Sequence, residues 1–216
     1  MRRVSYLTVM LMSTALLAAC SGQDISDEEL EEALEDVNVI DETNLNDVML
    51  TLADPDEAVS YFQRTSAANP DRIELKRGLG VSLVRAGKPS AAANTWAEVL
   101  KMSGATAEDR VEYADALIRA NRWDEAEAQL DRIPPTHETF KRYRLEAMIA
   151  DSNKEWTKAD SFYEIAVGLT TRPSGTLNNW GYSKLPRGDF PGAEQLFGEA
   201  LTYDSTMFTA KNNLVL

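Results

Sequence analysis

Leu177-Asn178-Asn179-Trp180-Gly181-Tyr182, followed by Arg187-Gly188-Asp189-Phe190, Ala193, Phe197 and Ala200-Leu201, is the stretch on which the fold turns. Its small and aromatic residues return along the chain in one register. Alanines stand at Ala58, Ala92, Ala126, Ala159 and Ala193, spaced 34, 34, 33 and 34 residues apart. Four positions beyond each lies a bulky side chain: Phe62, Trp96, Leu130, Tyr163 and Phe197. Twelve positions before the alanine, in the four complete units, come Gly80, Ala114, Ala147 and Gly181. Three before it stands Pro55, Pro89, Trp123, Trp156 or Phe190, and five before it Gly87, Asn121, Lys154 or Gly188. A register kept over more than 130 residues with a single one-residue slip is not chance.

The pattern has a physical reading. Each unit is two helices joined by a tight turn, and neither can bury its apolar face alone, so units must stack. Small residues let two helix axes approach, and the bulky residue one turn after the alanine fills the remaining space because i and i+4 share a face. A turn-tolerant residue permits the positive φ at which a first helix ends. Pro70 stops the second helix of the leading unit. Alanine, leucine, glutamate and arginine dominate this part of the chain and favour helix throughout.

This period and these positions resemble the tetratricopeptide repeat. The resemblance implies an all-α fold, a right-handed superhelix (α-solenoid) built from stacked helix pairs. It divides the chain into a leader over 1–19, a linker over 20–50 and a repeat domain over 51–216. Within the domain a half repeat, a lone second helix, covers 55–70, with repeats near 73–106, 107–139, 140–173 and 174–207. The complete units begin near Ile73, Ala107, Phe140 and Ser174, and 208–216 reads as the truncated start of another. Two departures stand out: Glu146 where a leucine is usual, and Pro134-Pro135, which cuts the second helix of its unit short.

Ahead of the repeats the chain reads Met1-Arg2-Arg3, an apolar stretch from Val4 to Leu17, and then Leu17-Ala18-Ala19-Cys20. A cationic head, a short apolar segment and small residues before a cut site describe a secretory leader rather than a membrane span. The final four residues resemble the bacterial lipobox. By that resemblance Cys20 becomes a lipidated N-terminus, and several acyl chains hold stably where one would not. It is the only cysteine, so neither a disulfide nor a cysteine metal site competes for it. Ser21 in place of Asp implies sorting to the outer membrane, with the domain facing the periplasm. From Gln23 to Leu50 there are eleven Asp or Glu and no Lys or Arg, which reads as an acidic flexible linker whose like charges repel.

The formal net charge of −13 argues against nucleic acid and against a peripheral site on anionic lipid. His137 is the only histidine, so no His-carboxylate metal cluster or Ser-His-Asp triad is expected. Arg77-Gly78-Leu79-Gly80 lacks the strand, lysine and spacing of a phosphate loop. Trp96, Trp123, Trp156 and Trp180 fall at repeat core positions. No catalytic residue, cofactor, metal or small-molecule substrate is expected; the partners are proteins, with the membrane reached through the lipid anchor.

In stacked helix pairs the first helices line the concave face. By register that face includes Arg77, Val81, Val84, Val111, Asp115, Ile118, Arg144, Met148, Asn178 and Tyr182. The mixture suits a partner segment with apolar anchors and some acid. A lipobox, an acidic spacer and these repeats together resemble the lipoproteins of Flp (tight adherence, Tad) pilus assembly. The final stretch through Ala210-Lys211-Asn212-Asn213-Leu214 carries most of that likeness, although that family is expected to continue past Leu216. The resemblance implies an outer-membrane adaptor that binds the pilus secretin or another assembly component. An adaptor of the same architecture for another envelope machine, β-barrel assembly or cell-wall hydrolase regulation, is the alternative.

Overall fold

The computed structural model describes residues 45–214; the leader, Cys20 and most of the acidic linker lie outside the described residues. Among the described residues there are eleven α-helices and no strand. Helix α1 covers 45–51. It is followed by α2 (Pro55–Ala68), α3 (Ile73–Arg85), α4 (Pro89–Val99), α5 (Ala107–Arg119), α6 (Trp123–Leu130) and α7 (Phe140–Ser152). Then come α8 (Trp156–Gly168), α9 (Ser174–Lys184), a 3-10 turn (Leu185–Arg187), α10 (Phe190–Tyr203) and α11 (Phe208–Asn213). The first helices of the four complete units begin at the expected residues. Every second helix begins at the position three before its alanine, occupied by Pro55, Pro89, Trp123, Trp156 and Phe190.

The helix starts are written in the side chains. Asp54 accepts hydrogen bonds from the backbone N–H groups of Asp56 and Glu57 at 2.9 and 3.3 Å, with Pro55 locked into the first helical position. Thr106 and Asp109 cap α5 reciprocally, and Thr139 accepts from the Arg142 N–H. The ends of the first helices are equally regular. Gly87, Asn121, Lys154 and Gly188 all take positive φ, at 66°, 61°, 60° and 75°. After each, the next N–H reaches back to a carbonyl five residues earlier: Lys88 to Leu83, Arg122 to Leu117, Glu155 to Ala150 and Asp189 to Lys184. This double-bonded helix stop satisfies orphan carbonyls and aims the chain into the second helix.

The alanine and bulky positions form the centre of the stack. Ala58, Ala92, Ala126 and Ala159 are fully buried, as are the bulky residues one turn on, apart from a sliver of surface. A Cβ added to Gly80 would lie 2.6 Å from Trp96 Cε2, and one on Gly181 would lie 2.7 Å from Phe197 Cε1. Gly78 meets Phe62 of the preceding helix in the same way, so the close contact also joins successive units. One core cluster runs from Val59 to Ile149; two smaller ones follow, around Ala147–Tyr163 and around Leu177–Ala210. Trp180 packs against both of the smaller clusters and stacks on Tyr163 at 6.0 Å between ring centres.

Several readings need correction. The second helix at 55–70 is not alone: 45–51 lies 34 residues ahead of 79–85, the end of α3, and reads as the tail of another first helix. The Arg85 guanidinium donates to the Met49, Leu50 and Ala53 carbonyls at 3.1, 2.7 and 3.0 Å, holding the end of α1. Acid density hid this helix, although Val48, Met49 and Leu52 carry its apolar signal. Of the tryptophans only Trp96 is core; Trp123, Trp156 and Trp180 are half-buried. Pro134-Pro135 does shorten its unit, since α6 has only eight residues. Glu146 is accommodated by Arg142, 2.8 Å away on the same helix face. No helix among the described residues is long and apolar enough to cross a membrane.

Two substitutions test this packing. Gly80→Ala forces a methyl group against Trp96 and is expected to cost about 1–3 kcal/mol in denaturant unfolding, with helical circular dichroism retained. Lys154→Gly relieves a left-handed conformation that side chains disfavour, offset by glycine's greater freedom when unfolded. The net expectation is a gain of about 0.5–1 kcal/mol, seen as a higher unfolding midpoint.

Candidate functional site

The first helices α5, α7 and α9 line a groove with two adjoining sections. One, of about 370 Å³, is walled by Trp123, Met148, Asp151, Ser152, Trp156, Tyr163, Asn178, Asn179, Tyr182, Ser183 and Pro186. The other, of about 540 Å³, is bounded by Asp115, Ile118, Arg119, Arg144, Gly175, Met207 and Thr209. The two share Trp123, Met148, Asn178 and Asn179, so they form one continuous depression. Among the described residues no group of His, Cys, Asp and Glu is placed to hold a metal ion.

Six of the ten residues expected on the concave face border this groove: Asp115, Ile118, Arg144, Met148, Asn178 and Tyr182. Tyr182 is 60% exposed and stands at its mouth. Asp115 and Ile118 show only an edge, since each is nearly buried. The other four are elsewhere. Val111 is 0% exposed and belongs to the core, so no partner can touch it. Val81 and Val84 are both half-buried and packed against the same cluster. Arg77 is engaged within the stack: it donates twice to Asp109, at 2.7 Å for each bond, and once to the Gly104 carbonyl at 3.0 Å.

The groove also contains residues that register alone did not point to, above all Trp123 and Trp156. Both occupy the first position of a second helix, where the two leading units carry proline. That exchange of proline for tryptophan in the two middle units was the available signal. Trp123 donates its indole N–H to the Asn121 side chain at 2.7 Å, which fixes the ring beside the turn. Arg187 lies over the Trp156 ring, 4.9 Å from its centre.

Beneath the groove a polar network joins the third and fourth units. Asp151 accepts from the Ser183 hydroxyl at 2.5 Å and the Tyr163 hydroxyl at 2.9 Å. Asp160 accepts from Trp180 Nε1 at 2.7 Å, Arg187 at 2.8 Å and Lys184 at 3.0 Å. Arg187 touches both carboxylates, reaching Asp151 at a longer 3.4 Å. Burial pushes the Asp151 carboxyl up, more than its hydrogen bonds bring it down. Burial also acts on Asp160, but Arg187, Trp180 and Lys184 outweigh it and hold that carboxyl below its usual range. Burial raises the Tyr163 phenol, and the neighbouring Asp151 charge adds to it.

Two family models described as tetratricopeptide repeat match residues 83–149 and 49–101. No curated protein sequence matches the chain. Among solved structures, TTC0263, a thermophilic TPR protein of Thermus thermophilus, covers 80% of this chain and 97% of its own at 15% identity, with a TM-score of 0.67. PilW, described as a widely conserved type IV pilus biogenesis factor, covers 76% of this chain and 79% of its own at 13% identity, with a TM-score of 0.63. YrrB, described as a TPR protein with an unusual peptide-binding site, covers 80% and 90% at 11% identity, with a TM-score of 0.57. At these identities the likeness is one of fold. The described residues have the tetratricopeptide-repeat fold, and the two models together match residues 49–149.

The Arg77–Asp109 pair gives a pH test. Burial pushes the Asp109 carboxyl up, but the bonds from Arg77 and Thr106 outweigh it and leave it below the usual carboxylate range. A depressed carboxyl stabilises the fold above its unfolded value, and that stability is lost as pH falls through the folded value. Unfolding midpoints of the parent chain should therefore drop on acidification from about pH 6 to about pH 3. Arg77→Met should lower stability by about 1–2 kcal/mol at pH 6 and flatten this pH slope.

Proposed function

We propose that this chain is a lipid-tethered adaptor, anchored in the outer membrane through Cys20 and facing the periplasm, that serves assembly of a Flp/Tad pilus. Its groove holds a segment of a partner protein, the secretin or another assembly component. The observation that carries the reading is the continuous groove across α5, α7 and α9, open to solvent and bordered by Tyr182, Met148, Trp123 and Trp156. A concave surface with aromatic anchors and a few convergent polar groups is what a peptide or helix needs for specific docking. The leader ending in Leu17-Ala18-Ala19-Cys20 supports the tether. The fold shared with a pilus biogenesis factor and with a peptide-binding repeat protein is consistent with both halves of the proposal.

Deletion of the gene should abolish surface fibrils and secretin multimers while leaving general envelope integrity intact. Cys20→Ala should leave a folded protein in the soluble fraction, and continued fractionation with the outer membrane would refute the anchor. Tyr182→Ala, at an exposed position, should reproduce the fibril defect at normal protein level. Intact fibrils with disturbed barrel proteins or septation would assign the adaptor to a different envelope machine.

A further inference from the structure

The smaller section of the groove has an unusual mixture of groups. Its walls are the rings of Trp123, Trp156 and Tyr182 beside Met148, and the one charged residue lining it is Asp151. No lysine or arginine lines it; Arg119 and Arg144 belong to the adjoining section, where Asp115 accompanies them. Aromatic faces carry negative potential and attract cations. One of these rings already does so, because Arg187 sits over Trp156.

We propose that this section receives a basic side chain, lysine or arginine, carried by the partner segment, with Asp151 as its counter-ion and the aromatic rings around its stem and charge. This rests on the groove being the docking surface. The Asp151 carboxylate is only weakly compensated: it accepts from two neutral hydroxyls and, at a long 3.4 Å, from Arg187, whose shorter bond of 2.8 Å goes to Asp160. Burial pushes its carboxyl up, with the neighbouring Asp160 charge adding to the effect. A long basic side chain suits the shape as well, since its methylenes can lie on Met148 and the indoles while its head reaches the carboxylate. The net charge of −13 favours the approach of a basic segment. Arg144 at the other end would meet an acidic residue, Arg119 being paired with Asp115 at 3.0 Å, so the bound segment would have a fixed direction.

The test uses a phage-displayed library of random twelve-residue peptides panned on the purified full-length chain, with enriched clones remade as synthetic peptides. Clones that Tyr182→Ala no longer binds report the groove. The expected result is a recurring lysine or arginine in those clones, whose replacement by norleucine weakens binding about tenfold or more. Asp151→Asn should produce the same loss and leave norleucine peptides unaffected. Should Asp151→Asn disturb the fold, Ser152→Lys, at an exposed position on the rim, should repel basic peptides selectively. Groove-dependent clones that carry no basic residue, or that tolerate norleucine, would overturn the cation pocket and leave the docking groove standing. Clones indifferent to Tyr182→Ala would overturn both.

Discussion

The close approach of paired helices, made possible by a missing side chain on one and filled by a bulky ring on the other, is the constraint on which the structure depends. Gly80 beneath Trp96 and Gly181 beneath Phe197 leave no room for even a methyl group. Interiors at this density do not deform gradually, so each contact fixes the spacing and rotation of its pair. Repeated at a near-constant interval, and extended between units where Gly78 meets Phe62, the contact fixes the curvature of the stack. The groove is a product of that curvature. The buried alanines and rings create it, and of these Tyr163 also forms part of its wall.

Apolar packing is not uniform along the stack, and charge takes over where it thins. The main core cluster ends near Ile149, after the shortened α6 and the Pro134-Pro135 connection. Across that connection Lys141 pairs with Glu112 at 2.6 Å and Asp115 at 3.3 Å. At the next one Arg187 and Lys184 bridge to Asp151 and Asp160. Ion pairs of this kind contribute less than buried rings but are directional, and they set the register of one unit on the next. The same network places a carboxylate at the edge of an aromatic-walled recess. The groove therefore inherits its chemistry from the joint rather than from the repeat pattern itself.

Much of this was legible from the residues. The alanine interval marked the turn-adjacent residue three positions ahead, and in the structure each second helix starts there, because the helix start is imposed by the turn before it. The positive-φ sites that end the first helices fell at Gly87, Asn121, Lys154 and Gly188, though two carry side chains, since position in the repeat outweighs residue preference there. The lining of the groove was legible only in part. Register says which helix faces inward, but not how far a residue is sunk: Val111 is on the right helix and is entirely core. Arg77 shows the other failure, because a charged residue on an inward face can be spent on a neighbouring unit, here Asp109. Trp123 and Trp156 fall at repeat positions read as core, yet the turn geometry leaves them half out.

A scaffold whose binding surface is set by buried contacts can change partners by altering a few rim residues while its shape persists. That separates what this chain is, a stack of tetratricopeptide helix pairs, from what it holds. The link between them is the claim that the small–bulky contacts set the geometry, and a double-mutant cycle on Gly181→Ala and Phe197→Leu measures it most directly. If the methyl and the ring compete for the same space, trimming the ring should recover much of the stability lost at Gly181, giving a coupling energy of about 1 kcal/mol or more. Strictly additive losses would show that the two residues do not interlock, and the origin assigned to the groove would be wrong.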